Sequence, residues 1–104
     1  MKEVTANELK SMMDNKENFQ LIDVREPFEY DLANIGGELI PMAEVMENTD
    51  KIAKDKPVIV HCKGGTRSGA IIQALESKGF TNLYNLKGGI MAYADQVDPT
   101  ITKY

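Results

Sequence analysis

Short apolar runs alternate with amphipathic stretches along this chain of 104 residues. Gln20-Leu21-Ile22-Asp23-Val24, Pro57-Val58-Ile59-Val60-His61 and Asn82-Leu83-Tyr84-Asn85-Leu86 are brief, apolar and bounded by turn formers. Such runs read as buried strands, and Leu39-Ile40 reads as a short fourth. The stretches between them follow helical spacing. Thr5 and Glu8 form a capping box ahead of Leu9, Met12 and Met13. Pro27 suits the first turn of a short helix through Tyr30. A helix is expected from Ala43 to Ala53, carrying Val45, Met46 and Ile52 before the breaker Lys54-Asp55-Lys56-Pro57. Another is expected from Ser68 to Lys78, with Ile71, Ile72 and Leu75 on one side and Gly79 as its stop. Gly88-Gly89 opens a last helix through Gln96.

Strands alternating with helices of about ten residues predict an α/β fold around a central, mainly parallel sheet. The length sits at the low edge of the single-domain range, so residues 1–104 are expected to form one domain. In such sheets ligands bind beyond the carboxyl ends of the strands. Asp23–Arg25 and Cys62–Arg67 fall there.

Charge and composition narrow the chemistry. Twelve Lys and Arg against sixteen Asp and Glu give a net charge of −4, which lacks the basic footprint of a nucleic-acid binder. No apolar run is long enough to span a membrane. The start, MKEVTANELK, has no apolar core of a signal peptide, so a cytoplasmic location is expected. Cys62 is the only cysteine and His61 the only histidine. An internal disulfide, a CxxC pair and a zinc quartet are all excluded, and no metal site is expected.

The thiol sits in His61-Cys62-Lys63-Gly64-Gly65-Thr66-Arg67-Ser68-Gly69, between an apolar strand and a helix. Backbone N–H groups of a glycine-containing loop can turn inward as an anion nest. The helix that follows adds its positive N-terminal end. Lys63 and Arg67 add full charges. Each of these favours thiolate over thiol, so Cys62 is expected to be acidified. The same nest would hold an anionic substrate beside the sulfur. Gly64 and Gly65 permit close approach, Arg67 offers a planar donor fork, and Thr66 and Ser68 offer hydroxyls, with Ser68 also a possible helix cap. A Cys–His dyad is rejected, because adjacent strand residues point to opposite faces.

Three motifs in order resemble the rhodanese family of sulfurtransferases over nearly the whole chain. Leu21-Ile22-Asp23-Val24-Arg25-Glu26-Pro27-Phe28-Glu29-Tyr30 is similar to the family's first signature, L-I-D-V-R-x-x-x-E-[YF]. Val58 to Ser68 is similar to its active-site segment, with Cys62 at the persulfide-forming position. Leu86-Lys87-Gly88-Gly89-Ile90-Met91-Ala92-Tyr93 is similar to its closing L-x-G-G-[IF]-x-x-[WY] signature. The resemblance implies a three-layer α/β/α domain with about five strands. Asn34-Ile35-Gly36-Gly37-Glu38-Leu39-Ile40-Pro41 and the ending from Val97 to Tyr104 further resemble rhodanese domains fused to adenylyltransferases of the molybdopterin-synthase and thiamine type. A domain of a longer protein and a free-standing relative both fit.

Cys62 and Arg67 are separated by four residues, as in rhodaneses, whereas the family's phosphatase relatives use a wider loop of five. The resemblance implies sulfur transfer through a Cys62 persulfide, with Lys63, Gly64, Gly65, Thr66, Arg67 and Ser68 binding the substrate. It casts Asp23 and Arg25 as structural support, with Glu29 expected to pair with Arg25. Glu29 stands where some two-domain thiosulfate enzymes carry an extra arginine. No cofactor is implied. The donor would be a small anion such as thiosulfate or a protein persulfide; the acceptor would be a thiol, cyanide or a sulfur-carrier protein. The alternatives are a sulfur-carrier partner serving an adenylyltransferase and a binding scaffold without turnover.

Overall fold

The computed structural model describes residues Met1–Tyr104. Five strands, β1 (Glu3–Val4), β2 (Gln20–Asp23), β3 (Glu38–Leu39), β4 (Val58–His61) and β5 (Leu83–Leu86), form one sheet. Their order is β1-β5-β4-β2-β3 and every pairing is parallel. The helices are α1 (Ala6–Asp14), α2 (Pro27–Leu32), α3 (Thr66–Glu76) and α4 (Gly89–Gln96). No helix is long and apolar enough to cross a membrane.

The two-residue period of the strands divides the core between the sheet's faces. Ile22, Val24, Val58, Val60 and Cys62 join Ile71, Ile72 and Leu75 of α3 in one buried cluster. Ile59 and Leu86 join Leu9 of α1 and Tyr93 of α4 in the other. Both faces of β4 are therefore covered, which is why Val58-Ile59-Val60 reads as an unbroken apolar run.

The predicted strands and four of the predicted helices appear with shifted ends. The capping box is present: the Glu8 N–H donates to Thr5 Oγ1 at 3.1 Å and the Thr5 N–H to Glu8 Oε1 at 2.9 Å. The helix expected from Ala43 to Ala53 is instead two stretches of 3₁₀ helix, Met42–Glu47 and Thr49–Lys51. Asn48 divides them, its side chain donating to the Glu44 carbonyl at 2.7 Å. Such a side chain competes with the helical ladder, and Asn-Thr-Asp has little helix propensity to resist it. β1 escapes the sequence pattern because two residues carry no period; Val4 and Glu3 are recognisable as strand only from their pairing with β5.

Candidate active site

The loop between β4 and α3 turns around the Cys62 sulfur. Gly65, at φ +109°, is the N-cap of α3, a conformation open to glycine at little cost. Cys62 Sγ accepts from the Gly65 N–H at 3.1 Å and from the Ser68 N–H at 3.4 Å. Ser68 lies in the first turn of α3, where backbone N–H groups have no partner within the helix. Its hydroxyl is 3.3 Å from the sulfur. The same hydroxyl also donates to Asn85 Oδ1 at 2.6 Å, and Asn85 Nδ2 donates to the Gly65 carbonyl at 3.1 Å. Ser68 has one hydroxyl hydrogen, so Asn85, the Gly65 carbonyl at 3.2 Å and the sulfur compete for it. The loop amides have no such competitor and form the fixed part of the cradle. Ser68 is thus an internal strut rather than the cap expected from the sequence.

Burial of Cys62, 1% exposed, pushes its thiol up. The Ser68 hydroxyl and the N–H groups of Ser68, Gly65 and Gly64 outweigh that cost and bring it below its ordinary value. The lowering comes from short-range hydrogen bonds of the loop and the first turn of α3.

The amides point inward because the carbonyls beside them are held outward. At the start of α4, the Ile90 N–H donates to the Cys62 carbonyl at 3.0 Å and the Met91 N–H to the Lys63 carbonyl at 3.2 Å. In a trans peptide the C=O and N–H oppose each other. Fixing the Lys63 carbonyl on α4 thus aims the Gly64 N–H back towards the sulfur side. This contact requires Gly89, whose added Cβ would stand 2.3 Å from the Lys63 oxygen. The sequence marked Gly88-Gly89 as a helix opening; its second task, backing the cysteine loop, has no local signal.

A polar chain runs beside the loop. Arg25 is fully buried and donates to both oxygens of Asp23, at 3.0, 3.1 and 2.8 Å. Its remaining hydrogens go to the carbonyls of Glu29 and Ala33 and to the Tyr104 hydroxyl. Asp23 and Arg25 thus form a buried ion pair. The expected Glu29–Arg25 pair is corrected: the Glu29 carboxylate faces Arg67, with Nη1 at 2.7 Å and Nη2 at 3.0 Å, and Arg25 meets only its backbone carbonyl. Arg25 cannot serve both, because Asp23 lies two residues away and occupies its inner edge. His61 turns to the face opposite Cys62, with Nε2 3.5 Å from Asp23 Oδ2. Burial drives the His61 pKa down, against the pull of Asp23. Lys63 reaches over the Tyr104 ring, 4.4 Å from its centroid. Gly64 and Thr66 are exposed at the rim.

Hydrogen bonds from Arg67 bring the Glu29 carboxyl down to about 2, against burial and with help from Tyr104. A carboxyl whose folded pKa is depressed stabilises the fold above its unfolded value and loses that contribution as pH falls. The shift from 4.5 corresponds to about 3 kcal/mol. Solvent at Arg67, whose side chain is 34% exposed, reduces this to about 2 kcal/mol. Glu29→Gln is expected to be less stable than wild type by about that amount at pH 7. The gap should close as pH falls from about 4.5 towards 2. Urea unfolding across that range checks it; a gap independent of pH would show that the pair contributes by packing alone.

A buried thiol with backbone amides turned onto it, at the end of a parallel strand, is the candidate site of this α/β scaffold. The Rhodanese-like domain family matches residues 5–96, and the chain belongs to that family. It is 36% identical over 104 residues to the probable adenylyltransferase/sulfurtransferase MoeZ of Mycobacterium tuberculosis, a match covering 97% of this chain and 26% of that protein. The chain thus spans about a quarter of that relative's length. It is 31% identical over 93 residues to a sulfurtransferase of Allochromatium vinosum, covering 88% of this chain and 87% of that one. Among solved structures, a rhodanese-like domain protein from Staphylococcus aureus superposes with a TM-score of 0.84 at 32% identity, over 93% of this chain and 95% of the other. These likenesses place the chain in a sulfur-transfer family.

Proposed function

We propose that the chain is a sulfurtransferase that carries sulfane sulfur on Cys62. The supporting observation is the set of backbone N–H groups converging on a single buried thiol. The Cys62 thiolate attacks the outer sulfur of a donor, thiosulfate or a persulfide. A Cys62–sulfur bond forms as the donor's S–S bond breaks, and sulfite or a thiolate leaves with the electron pair. The terminal sulfur keeps one negative charge, which the Gly64, Gly65 and Ser68 amides hold, as preorganised donors hold an oxyanion. A nucleophilic acceptor then takes that sulfur and returns the thiolate, completing ping-pong turnover. Arg67 and Lys63 supply positive charge at the rim, Thr66 a hydroxyl, and Asp23 with Arg25 the rigid floor. Residues 1–104 act as one domain. A cytoplasmic setting suits a lone thiol, which stays reduced there. The likeness to an adenylyltransferase/sulfurtransferase favours a sulfur-carrier protein as acceptor.

Incubation with thiosulfate, or with a small persulfide, should add one sulfur, about 32 Da, to the protein by intact mass. No addition with either donor would remove the proposal. Arg67→Ala is expected to slow loading by about a hundredfold or more, the usual effect of removing a charged transition-state contact. It should also lower stability, because Glu29, only 4% exposed, loses its cation. Loading rates and melting curves measured on the same variant separate the two. A rate within threefold of wild type would show that the amides carry the site alone.

A further inference from the structure

Tyr104 is remote in sequence from the cysteine loop, yet it meets three charged side chains at the site. Its hydroxyl accepts from Arg25 Nη1 at 3.0 Å and donates to Glu29 Oε2 at 2.6 Å. Its ring lies under the Lys63 ammonium, 4.4 Å from the centroid. The segment that brings it there is anchored: Val97 and Ile101 pack against the cluster of α1 and α4, and the Asp98 N–H donates to the Tyr93 carbonyl at 3.0 Å.

The Glu29 carboxylate shows what the phenol does. Oε1 accepts from Arg67 Nη1 at 2.7 Å and from the Glu26 N–H at 3.0 Å. Oε2 accepts from Arg67 Nη2 at 3.0 Å and from Tyr104 at 2.6 Å. A carboxylate has about four lone-pair sites, and these four donors fill them. The Glu26 N–H fixes one oxygen and the phenol fixes the other. With both fixed, the carboxylate plane is set, and a bidentate guanidinium must lie in that plane. Arg67, half-buried in the first turn of α3, makes its side-chain hydrogen bonds to Glu29 alone. The phenol also takes up one of the Arg25 hydrogens, so the same hydroxyl joins the buried Asp23–Arg25 pair to the Glu29–Arg67 pair at the rim.

We propose that Tyr104 is a positioning residue for the sulfur site, orienting the Arg67 guanidinium through Glu29 and holding the Lys63 side chain against its ring. The inference rests on the reading of Arg67 as a contact of the anionic donor. It distinguishes the two cations of the loop: Arg67 is locked by hydrogen bonds to Glu29, and Lys63 rests on the face of a ring. Tyr104→Phe removes the first device and keeps the second; Tyr104→Leu removes both.

Thiosulfate-to-cyanide turnover and arginine side-chain NMR of the full chain test this. Tyr104→Phe should raise KM for thiosulfate about fivefold, as loss of one hydrogen bond in a positioned pair does, with kcat within about twofold. Tyr104→Leu should raise it about tenfold, through the added loss of the Lys63 contact. In a Glu29→Gln background, Tyr104→Phe should add less than about twofold, because its route to Arg67 is already cut. In NMR, the Arg67 guanidinium hydrogens should be slow to exchange in wild type and fast in Tyr104→Phe. A wild-type KM in Tyr104→Phe, an undiminished effect in the Glu29→Gln background, or unchanged Arg67 exchange would overturn the inference. If wild type turns over no sulfur, the reading of the site fails and the NMR comparison alone decides the positioning.

Discussion

Cys62→Ser is expected to abolish sulfur loading while leaving the fold intact. The serine hydroxyl is far too weak an acid to ionise in the same cradle, and oxygen cannot hold sulfur as a stable persulfide. The residual rate should fall below about a thousandth of wild type, as when a covalent nucleophile is removed. The fold should survive because the buried hydroxyl inherits partners: the Gly65 and Ser68 amides that now point at sulfur. Intact mass after thiosulfate or persulfide treatment, beside a melting curve, reads both. Sulfur appearing on the serine variant at the wild-type rate would put the chemistry elsewhere. With Cys62 the only thiol, no second cysteine in this chain can discharge the persulfide, so loaded protein should keep its sulfur until an external acceptor is supplied.

Gly89→Ala should be the most damaging single-methyl change near the site. Gly89 has φ +62°, and its Cβ would lie 2.3 Å from the Lys63 oxygen and 2.7 Å from the Cys62 oxygen. Both are backbone atoms, so relief requires α4 to back away from the loop. That would break the Ile90 and Met91 hydrogen bonds to the same two carbonyls. Gly36 serves as the control: it has φ +83° but open space around its Cβ. Gly36→Ala pays only the left-handed conformation, about 1 kcal/mol. Gly89→Ala should cost about 3–5 kcal/mol, a drop in Tm of well over 10 °C for a domain of about this size. Equal melting temperatures for the two variants would show that α4 does not brace the loop. Where Gly89→Ala still folds at low temperature, its thiol should alkylate with a higher apparent pKa, since the Gly64 N–H is no longer aimed at the sulfur.

The acid-sensitive Glu29–Arg67 pair, the Tyr104 contact and the Gly89 approach share a property: each joins residues far apart in sequence. Glu29 and Arg67 are 38 positions apart, Glu29 and Tyr104 75. Local patterning carries no information about such meetings. The sequence reading expected Arg25 as the partner of Glu29, four positions away. The fold hands Arg25 to Asp23, buried beneath it, and turns Glu29 to the next element.

What the sequence determined by itself is the scaffold and the place of the thiol. Alternating apolar runs of period two and helical period, punctuated by Gly and Pro, are local consequences of burial and suffice to order strands and helices. The opposite facing of His61 and Cys62 follows from strand geometry alone, and the turn at Gly64-Gly65 before α3 from glycine chemistry. The tertiary structure alone decided how the thiol is surrounded. Asn85 of β5 reaches the loop because β4 and β5 pair in parallel; α4 turns the loop carbonyls outward; Tyr104 closes onto Glu29. These are hydrogen bonds whose geometry is set to tenths of an ångström by packing of distant segments. A sequence pattern records which residues are able to make such bonds, and only the folded chain selects the partner each one takes.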